Sequence, residues 1–382
     1  MAASGPIEVS VVMPCLNEAE TLPICIRKAR AALERSGIAG EIVVADNGST
    51  DGSIEIAKSL GARVVHVARR GYGAAYLGGL EEARGRYIVI GDSDDSYDFD
   101  DLERFIAPLR EGYEAVIGTR LKGTILPGAM PPLHRWVGNP VLTGILNLFF
   151  RAGISDAHCG MRSFTGEAYR RLQLRTTGME FASEMIVKMA KAKMRIAEVP
   201  IVYHPDGRSR PPHLRSFRDG WRHLRFMLLY SPKWLFLIPG GLLAATGLTI
   251  MFALARGSIT AGGIRLDLHT MVLGMICTLT GSQVVLMGMF AKVYAHLENL
   301  DVDPAIDRTA QWFNLERGLI IAGVVFAAGF GINAWVLAQW IGNDLLYLNA
   351  LRPALIGGTL MALGLQGIFA AFFFSILGID KR

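Results

Sequence analysis

Between Ile88 and Phe99 the sequence reads IVIGDSDDSYDF, a short apolar run that ends in Asp92, Asp94, Asp95 and Asp98. Carboxylates this close repel one another, and each raises the cost of ionising the next. A divalent cation takes carboxylate oxygens as ligands and relieves that repulsion, so the spacing suits a metal ion and the phosphates it carries. A second chemistry fits the same residues. Asp98, Asp100 and Asp101 would sit in the first turn of a following helix, where negative charge suits the helix dipole. What the rest of the chain brings beside the cluster decides between the two.

The elements that must position it can be read in order. Residues 9–13 form a β-branched run ended by Pro14, and Leu22, Ile26, Ala29 and Leu33 then recur at helical spacing within 19–35. A second strand over 41–45 is broken by Asp46-Asn47-Gly48-Ser49-Thr50-Asp51-Gly52, turn and cap residues that open a helix over 53–60. A strand over 62–67, a helix over 74–83, a strand over 87–91, a helix over 100–110 and a strand over 115–118 follow. Such alternation predicts a mostly parallel sheet covered on both faces. Ligands of these sheets bind beyond the carboxyl ends of the strands, so loops 14–18, 46–51, 69–73 and 92–95 are expected to line one crevice. Asp46 and Asp51 suit a base and ribose, Gly71 and Gly73 admit backbone close to a phosphate, and Asp92 with Asp94 suits Mg²⁺ or Mn²⁺ on a diphosphate. Each piece alone also reads as a cap, a turn or a plain glycine loop. Four at successive strand ends favour a nucleotide sugar.

The segments VSVVMPCLNEAETL, IVVADNGSTDGS and RRGYGAAYLGGLEEARGRYIVIGDSDD resemble, in order and spacing, the nucleotide-diphospho-sugar domain of family-2 glycosyltransferases. Within that family the chain looks most like the polyprenyl-phosphate glycosyltransferases of dolichol-phosphate mannose synthase type, with C-terminal transmembrane helices. The resemblance implies a Rossmann-like GT-A α/β domain, with a mixed, mostly parallel sheet, followed by a four-helix membrane domain. It implies Pro14, Asn17 and Glu18 near the nucleotide and Asp46 at the base, with Asn47 where relatives often carry a second Asp. Asp92 and Asp94 match the metal pair, with Ser96 where some relatives have a metal-binding Gln, and Asp95 is a further catalytic candidate. Asp156-Ala157-His158-Cys159-Gly160-Met161-Arg162 resembles the family's D…SGxR turn, which implicates Arg162 near a lipid phosphate. Gly207-Arg208-Ser209-Arg210 resembles its G-x-S-K loop, with Arg in the Lys place.

Composition sets the frame for these pieces. The 382 residues are unevenly apolar, and runs at about 234–254, 268–290, 318–341 and 354–379 each approach bilayer length with almost no charge. The expected organisation is a soluble domain over 1–212, a juxtamembrane helix over 213–233 and a membrane domain over 234–382. MAASGPIE lacks the features of a signal peptide. Arg215, Arg218, Arg222, Arg225 and Lys233 precede the first span, Lys292, Arg308 and Arg317 separate the second and third, and Lys381 and Arg382 end the chain. The positive-inside bias therefore places the large domain and both termini in the cytosol of a multi-pass protein of the cell membrane. The formal charge of +5 gathers just before the first span and fits anionic headgroups better than nucleic acid. Cys15, Cys25, Cys159 and Cys277 lack zinc spacing.

Two segments meet that membrane. Residues 136–150 are apolar but too short to span, which leaves a core helix or an interfacial one flanked by His134, Arg135 and Arg151. Farther on, Arg215, Arg218, Arg222 and Arg225 share one helical face, beside Leu214, Phe217, Trp221, Leu224 and Leu228. A lipid phosphate entering the crevice needs cations, and the planar fork of arginine suits it, so Arg120, Arg162, Arg208 and Arg210, with Ser209, are the acceptor-phosphate candidates. Such an acceptor is already ionised at neutral pH and needs no strong general base. Asp156, Glu180 and Glu184 either orient these arginines or are surface charges. Two other functions remain possible from the sequence: a processive polysaccharide synthase, whose Q-x-x-R-W motif is absent, and a non-catalytic nucleotide-sugar sensor on a membrane scaffold. Gly240, Gly241, Gly247, Gly357, Gly358 and Gly364 point to close helix packing, within the chain or in a homo-oligomer.

Overall fold

The computed structural model describes residues 6–209, 216–297, 314–345 and 348–379. Arg210, Leu214, Arg215 and Arg308 lie outside the described residues. The chain divides into two units, Met1–Met227 and Leu228–Arg382.

The first unit is built on a seven-stranded sheet in the order β3-β2-β1-β4-β6-β5-β7. Strands β1 (Val9–Cys15), β2 (Gly40–Asp46), β3 (Arg63–His66) and β4 (Tyr87–Ile90) are mutually parallel. Strand β6 (Arg162–Thr165) runs antiparallel to both neighbours, β4 and β5 (Ala115–Ile125), and β7 (Ile196–Tyr203) is parallel to β5. The sheet is thus mixed and mostly parallel, with one reversed strand. Helices α1 (Leu22–Arg35), α2 (Ser53–Ser59), α3 (Tyr72–Glu81) and α4 (Leu102–Arg110) connect the parallel strands. Central strands are apolar on both faces: Val9, Val11, Val12, Met13 and Val89 are fully buried, as expected of parallel strands covered on both sides. Leu22, Ile26, Ala29 and Leu33 form the buried stripe of α1 at the spacing expected.

Several boundaries differ from the sequence expectation. The strand expected over 115–118 continues to Ile125, through a register shift between Thr119 and Thr124. Arg120 therefore lies within a strand and not at its end. Helix α3 begins at Tyr72, earlier than expected, with Gly71 just ahead of it at φ 137°. Asp98 accepts the Asp100 N–H at 3.1 Å and caps a short 3₁₀ turn, Phe99–Asp101, so the capping reading holds for that carboxylate.

Helices α5 (Asn139–Phe150), α6 (Gly166–Leu172), α7 (Phe181–Lys191) and α8 (Ser216–Leu229) complete this part. A π-helical turn, His134–Gly138, leads into α5, and only Thr143 and Leu146 of α5 are buried. Leu133, Trp136, Val137, Val141 and Leu148 are exposed. On α8 the buried positions are Asp219, His223, Phe226 and Met227, while Phe217 and Trp221 face outward at 85% and 57% exposure. His134 Nε2 lies 2.7 Å from Ser216 Oγ, which ties the starts of these two apolar-faced segments together.

The second unit holds α9 (Ile238–Leu254), a small hairpin of β8 (Ile259–Ala261) and β9 (Ile264–Leu266), and three long helices, α10 (Leu268–Leu297), α11 (Leu315–Gly342) and α12 (Leu351–Ile379). Four helical stretches, Lys233–Leu254, Leu268–His296, Leu315–Gly342 and Leu351–Leu377, are long and apolar enough to cross a membrane. Backbones come close at glycine. A Cβ on Gly247 would stand 2.4 Å from Thr278 N, one on Gly281 2.3 Å from Ala244 N, and one on Gly364 2.5 Å from Phe326 N. Small residues let helices approach where side chains would hold them apart. Gly241 and Gly358 have nothing within 4 Å of a built Cβ, so they take no part in this packing.

Candidate active site

The four loops beyond β1, β2, β3 and β4 are bonded to one another. Asn47, just past β2, donates through Nδ2 to the carbonyls of Val67 and Arg69 and accepts the Gly71 N–H at 2.8 Å. Asn17, at φ 59°, accepts the Thr50 N–H at 2.7 Å, and its own N–H donates to Ser49 Oγ at 2.9 Å. Ser93 Oγ donates to the Pro14 carbonyl at 2.5 Å. The loops that the sequence expectation put around one crevice are therefore adjacent.

Asp46 ends β2 and accepts the N–H groups of Gly48 and Ser49 at 3.1 and 3.0 Å. Burial works against its charge, but the Ser49 and Gly48 hydrogen bonds and His66 outweigh it and hold the carboxyl below its ordinary value. Asp51 accepts the N–H groups of Ala19 and Ser53, and Glu18 N–H donates to Ser53 Oγ. Asp51 thus works as a cap and loop clasp.

The acidic cluster separates into distinct environments. Asp92 Oδ1 accepts from Tyr72 Oη at 2.9 Å and Tyr76 Oη at 3.0 Å, while its Oδ2 takes no hydrogen bond from the described residues. Burial, and then the neighbouring charge of Asp94, push the Asp92 carboxyl up to about 6. Asp94 Oδ1 accepts from Ser96 Oγ at 2.6 Å and Ser96 N at 3.1 Å, and its Oδ2 faces Arg208 at 2.8 Å. Ser96 is buried and spends its hydroxyl on Asp94, so it orients that carboxylate. Asp95, at φ 59°, turns away to Lys28 at 2.9 Å, in a half-buried pair that also reaches Asp98 at 3.7 Å.

Arg120 and Arg162 have different surroundings from those expected of phosphate ligands. Arg120 is paired in the interior with Asp156, which orients it, and lies against the Tyr203 ring at 5.2 Å. Arg162 is 1% exposed and donates to the carbonyls of Cys159, Ala182 and Ala157 at 2.8 Å each. Arg162 spends all three guanidinium nitrogens on the fold, and Arg120 commits Nε and Nη2 to Asp156. Glu184 is buried, accepts the backbone N–H groups of Arg175 and Thr176 and pairs with Lys188 at 2.7 Å, so its partners are a loop and a lysine and not the Arg120 or Arg162 guanidinium. That loop explains the two glycines: a Cβ on Gly71 would stand 2.2 Å from the Thr177 carbonyl, and one on Gly73 2.4 Å from that of Thr176. Arg208 and Ser209 do border the acidic cluster, with Ser209 Oγ donating to Glu20 at 2.7 Å.

Residues 10–173 match the family model described as glycosyl transferase family 2, and residues 289–378 match that of the glycosyltransferase family 2 C-terminal transmembrane region. The low-salt glycan biosynthesis hexosyltransferase Agl6 of Haloferax volcanii is 42% identical over 371 residues, 97% of this chain and 89% of that protein. The chain belongs to glycosyltransferase family 2. Glycosyltransferase AglJ of the same organism is 31% identical over 301 residues, covering 76% of this chain and 95% of its own length. Among solved structures, glucosyl-3-phosphoglycerate synthase from Mycobacterium tuberculosis, in complex with Mn²⁺, UDP and glucosyl-3-phosphoglycerate, is similar with a TM-score of 0.47 at 23% identity, over 60% of this chain and 80% of that one. The protein is a nucleotide-sugar glycosyltransferase of the membrane.

In this glycosyltransferase the donor set fits a hard divalent cation. Asp92 Oδ2 takes no hydrogen bond from the described residues, and the two neighbouring carboxylates offer only oxygen donors. Among the described residues no three His, Cys, Asp or Glu side chains converge on one metal position. A carboxylate pair of this kind leaves coordination places for water and diphosphate oxygens, as Mg²⁺ prefers. Sequence reasoning missed Tyr72 and Tyr76, whose i, i+4 spacing on α3 was the available signal, and the pairing of Arg208 with Glu18 at 3.1 Å.

Proposed function

We propose that this glycosyltransferase moves a hexose from a nucleoside-diphosphate sugar, of UDP-glucose or GDP-mannose type, to a polyprenyl phosphate. The observation that carries the reading is the Asp92–Asp94 pair at the end of β4, flanked by nucleotide-type loops and by the cationic loop at Arg208. The Haloferax relative, a hexosyltransferase of glycan biosynthesis, supports the choice of a hexose. Asp46 and the Asn17–Glu18 loop receive the base and ribose side of the donor. Asp92 and Asp94 would hold a divalent ion, which would supply charge neutralisation to the nucleoside diphosphate. Tyr72 and Tyr76 orient Asp92, and Ser96 orients Asp94, so both carboxylates are fixed before the donor arrives.

The acceptor phosphate oxygen attacks the anomeric carbon in line, a new carbon–oxygen bond forms, and the electron pair of the broken one leaves with the diphosphate, inverting the centre. No proton has to be removed from an ionised phosphate. Arg208, with Ser209 and Arg210, supplies the cationic fork for that phosphate. Arg120 and Arg162 shape the wall of the acceptor side through Asp156 and the turn at Ala157–Cys159. The exposed apolar faces of α5 and α8 lie in the lipid interface, and the positive-inside pattern puts the catalytic unit and both termini on the cytosolic side.

The test is an assay on membranes containing the full chain, with radiolabelled UDP-glucose, GDP-mannose and UDP-N-acetylhexosamines, reading label in the organic phase. One hexose donor should give lipid-linked label, and Asp94→Asn should abolish it. Full activity in that variant, or label appearing only in polymer, would overturn the reading.

A further inference from the structure

On the reading above Arg208 serves the acceptor, yet its guanidinium is bound on the donor side. Nη2 lies 2.8 Å from Asp94 Oδ2 and Nη1 3.1 Å from Glu18 Oε1, and Nε meets both oxygens of Asp206 at 2.8 Å. The side chains of Arg208 and Asp94 are 10% and 14% exposed, so this is a partly dehydrated network and not a solvated surface pair.

We propose that Arg208 is an exchangeable counter-ion of Asp94: it holds the carboxylate until a divalent cation arrives, and the cation's arrival releases it toward the acceptor phosphate. The inference rests on Asp94 being a metal carboxylate. Three features of the cluster lead to it. Ser96 fixes Asp94 Oδ1 at 2.6 Å, so Oδ2, the oxygen under Arg208, is the one on offer to an incoming ion. A dication taking that oxygen would compete with the guanidinium for it, and the two positive charges would repel. Second, the one Arg208 guanidinium reaches Glu18, Asp94 and Asp206 together, so it can give up Asp94 to an incoming cation while Asp206 keeps it anchored. Third, the backbone is already pinned: Gly207 N–H donates to the Asp94 carbonyl at 3.0 Å, Arg208 N–H to Asp206 at 2.9 Å and Ser209 N–H to Glu20 at 2.8 Å. The exchange therefore needs movement of one side chain and not of the loop. It makes the acceptor's cation available only after the donor side is loaded, which disfavours lipid phosphate capture without a sugar to transfer.

The experiment measures Mn²⁺ binding by electron paramagnetic resonance on the full chain in detergent, without nucleotide. Wild type should bind the ion and Asp94→Asn should lose it; binding that survives Asp94→Asn overturns the metal reading itself. With that established, Arg208→Gln should bind Mn²⁺ on the order of tenfold more tightly, because a charge-assisted competitor is gone. Unchanged or weaker binding overturns the exchange while leaving the metal site standing. A second measurement needs no variant: phenylglyoxal labelling of Arg208 in wild type, read by mass spectrometry, should accelerate several-fold when Mg²⁺ is added alone. An unchanged or slower rate also overturns the exchange.

Discussion

Arg120 donates to Asp156 through Nε at 2.7 Å, Nη2 at 2.8 Å and its backbone N–H at 3.1 Å, where the Asp156 side chain is fully buried and that of Arg120 is 8% exposed. Burial opposes the charge on both, but each holds the other ionised, with the Arg120 pKa raised and that of Asp156 lowered. Removing one partner strands the other charge, at a cost of about 3–5 kcal/mol, whereas replacing both with apolar residues is often neutral. Asp156→Asn should therefore lower the thermal unfolding midpoint strongly, and Arg120→Met with Asp156→Leu should recover most of the loss. Differential scanning fluorimetry of the full chain in detergent checks this. A double variant no more stable than the single one would show that the pair contributes more than mutual neutralisation.

Gly71 joins two constraints that any side chain would violate. Its φ of 137° lies where L residues are strained, and a Cβ would stand 2.2 Å from the Thr177 carbonyl. Gly71→Ala must push the 176–178 loop away, and that loop is held by Glu184 through the Arg175 and Thr176 amides. We expect at least a tenfold loss of transfer, together with new proteolytic cleavage near residues 175–178. Gly144→Ala, where nothing lies within 4 Å of the added carbon, is the matched control and should behave as wild type.

His223 gives the fold a pH dependence of known sign. It is 7% exposed on α8 and lies 2.8 Å from Ser183 Oγ, with its ring 4.5 Å from that of His158. Burial pushes its pKa from 6.5 down to about 4, against the pull of Asp219. The unfolded chain therefore binds the proton more readily between those values, so stability is full above about pH 6.5 and falls as pH drops toward 4. The span corresponds to something on the order of 3 kcal/mol. His223→Gln should flatten this part of the curve of unfolding midpoint against pH, and an unchanged slope would assign it to other groups, His158 first.

How much of this was legible depended on whether a property is local. The β-branched runs and the stripe of Leu22, Ile26, Ala29 and Leu33 are local, and the strand–helix order follows from them. Strand β6 escaped because Arg-Ser-Phe-Thr carries a single large apolar side chain, and its strand state comes from pairing with β4 and β5. The acidic cluster was visible as a cluster, but its division was not: Tyr72, Lys28 and Arg208 claim Asp92, Asp95 and Asp94 from distant places, and only Ser96 takes Asp94 locally. Arg162 shows the limit most plainly. Its type suggests a phosphate, while its burial among three carbonyls makes it a brace.

The exposed face of α8 carries the last prediction. Phe217 and Trp221 are four residues apart and project together, with the exposed Arg218, Arg222 and Arg225 beside them and the first span starting a few residues later at Lys233. In water such a face costs free energy, about 25 cal/mol for each Å² of apolar surface left exposed. In a bilayer interface the rings enter the acyl boundary and the arginines meet anionic headgroups, at roughly 1 kcal/mol per cation near the surface. A polarity-sensitive fluorophore attached at Phe217→Cys should shift to the blue when the full chain is reconstituted into vesicles containing anionic lipid. The same probe at Glu34→Cys, on the exposed side of α1, should not shift. Equal spectra at the two positions would mean that α8 stays in water.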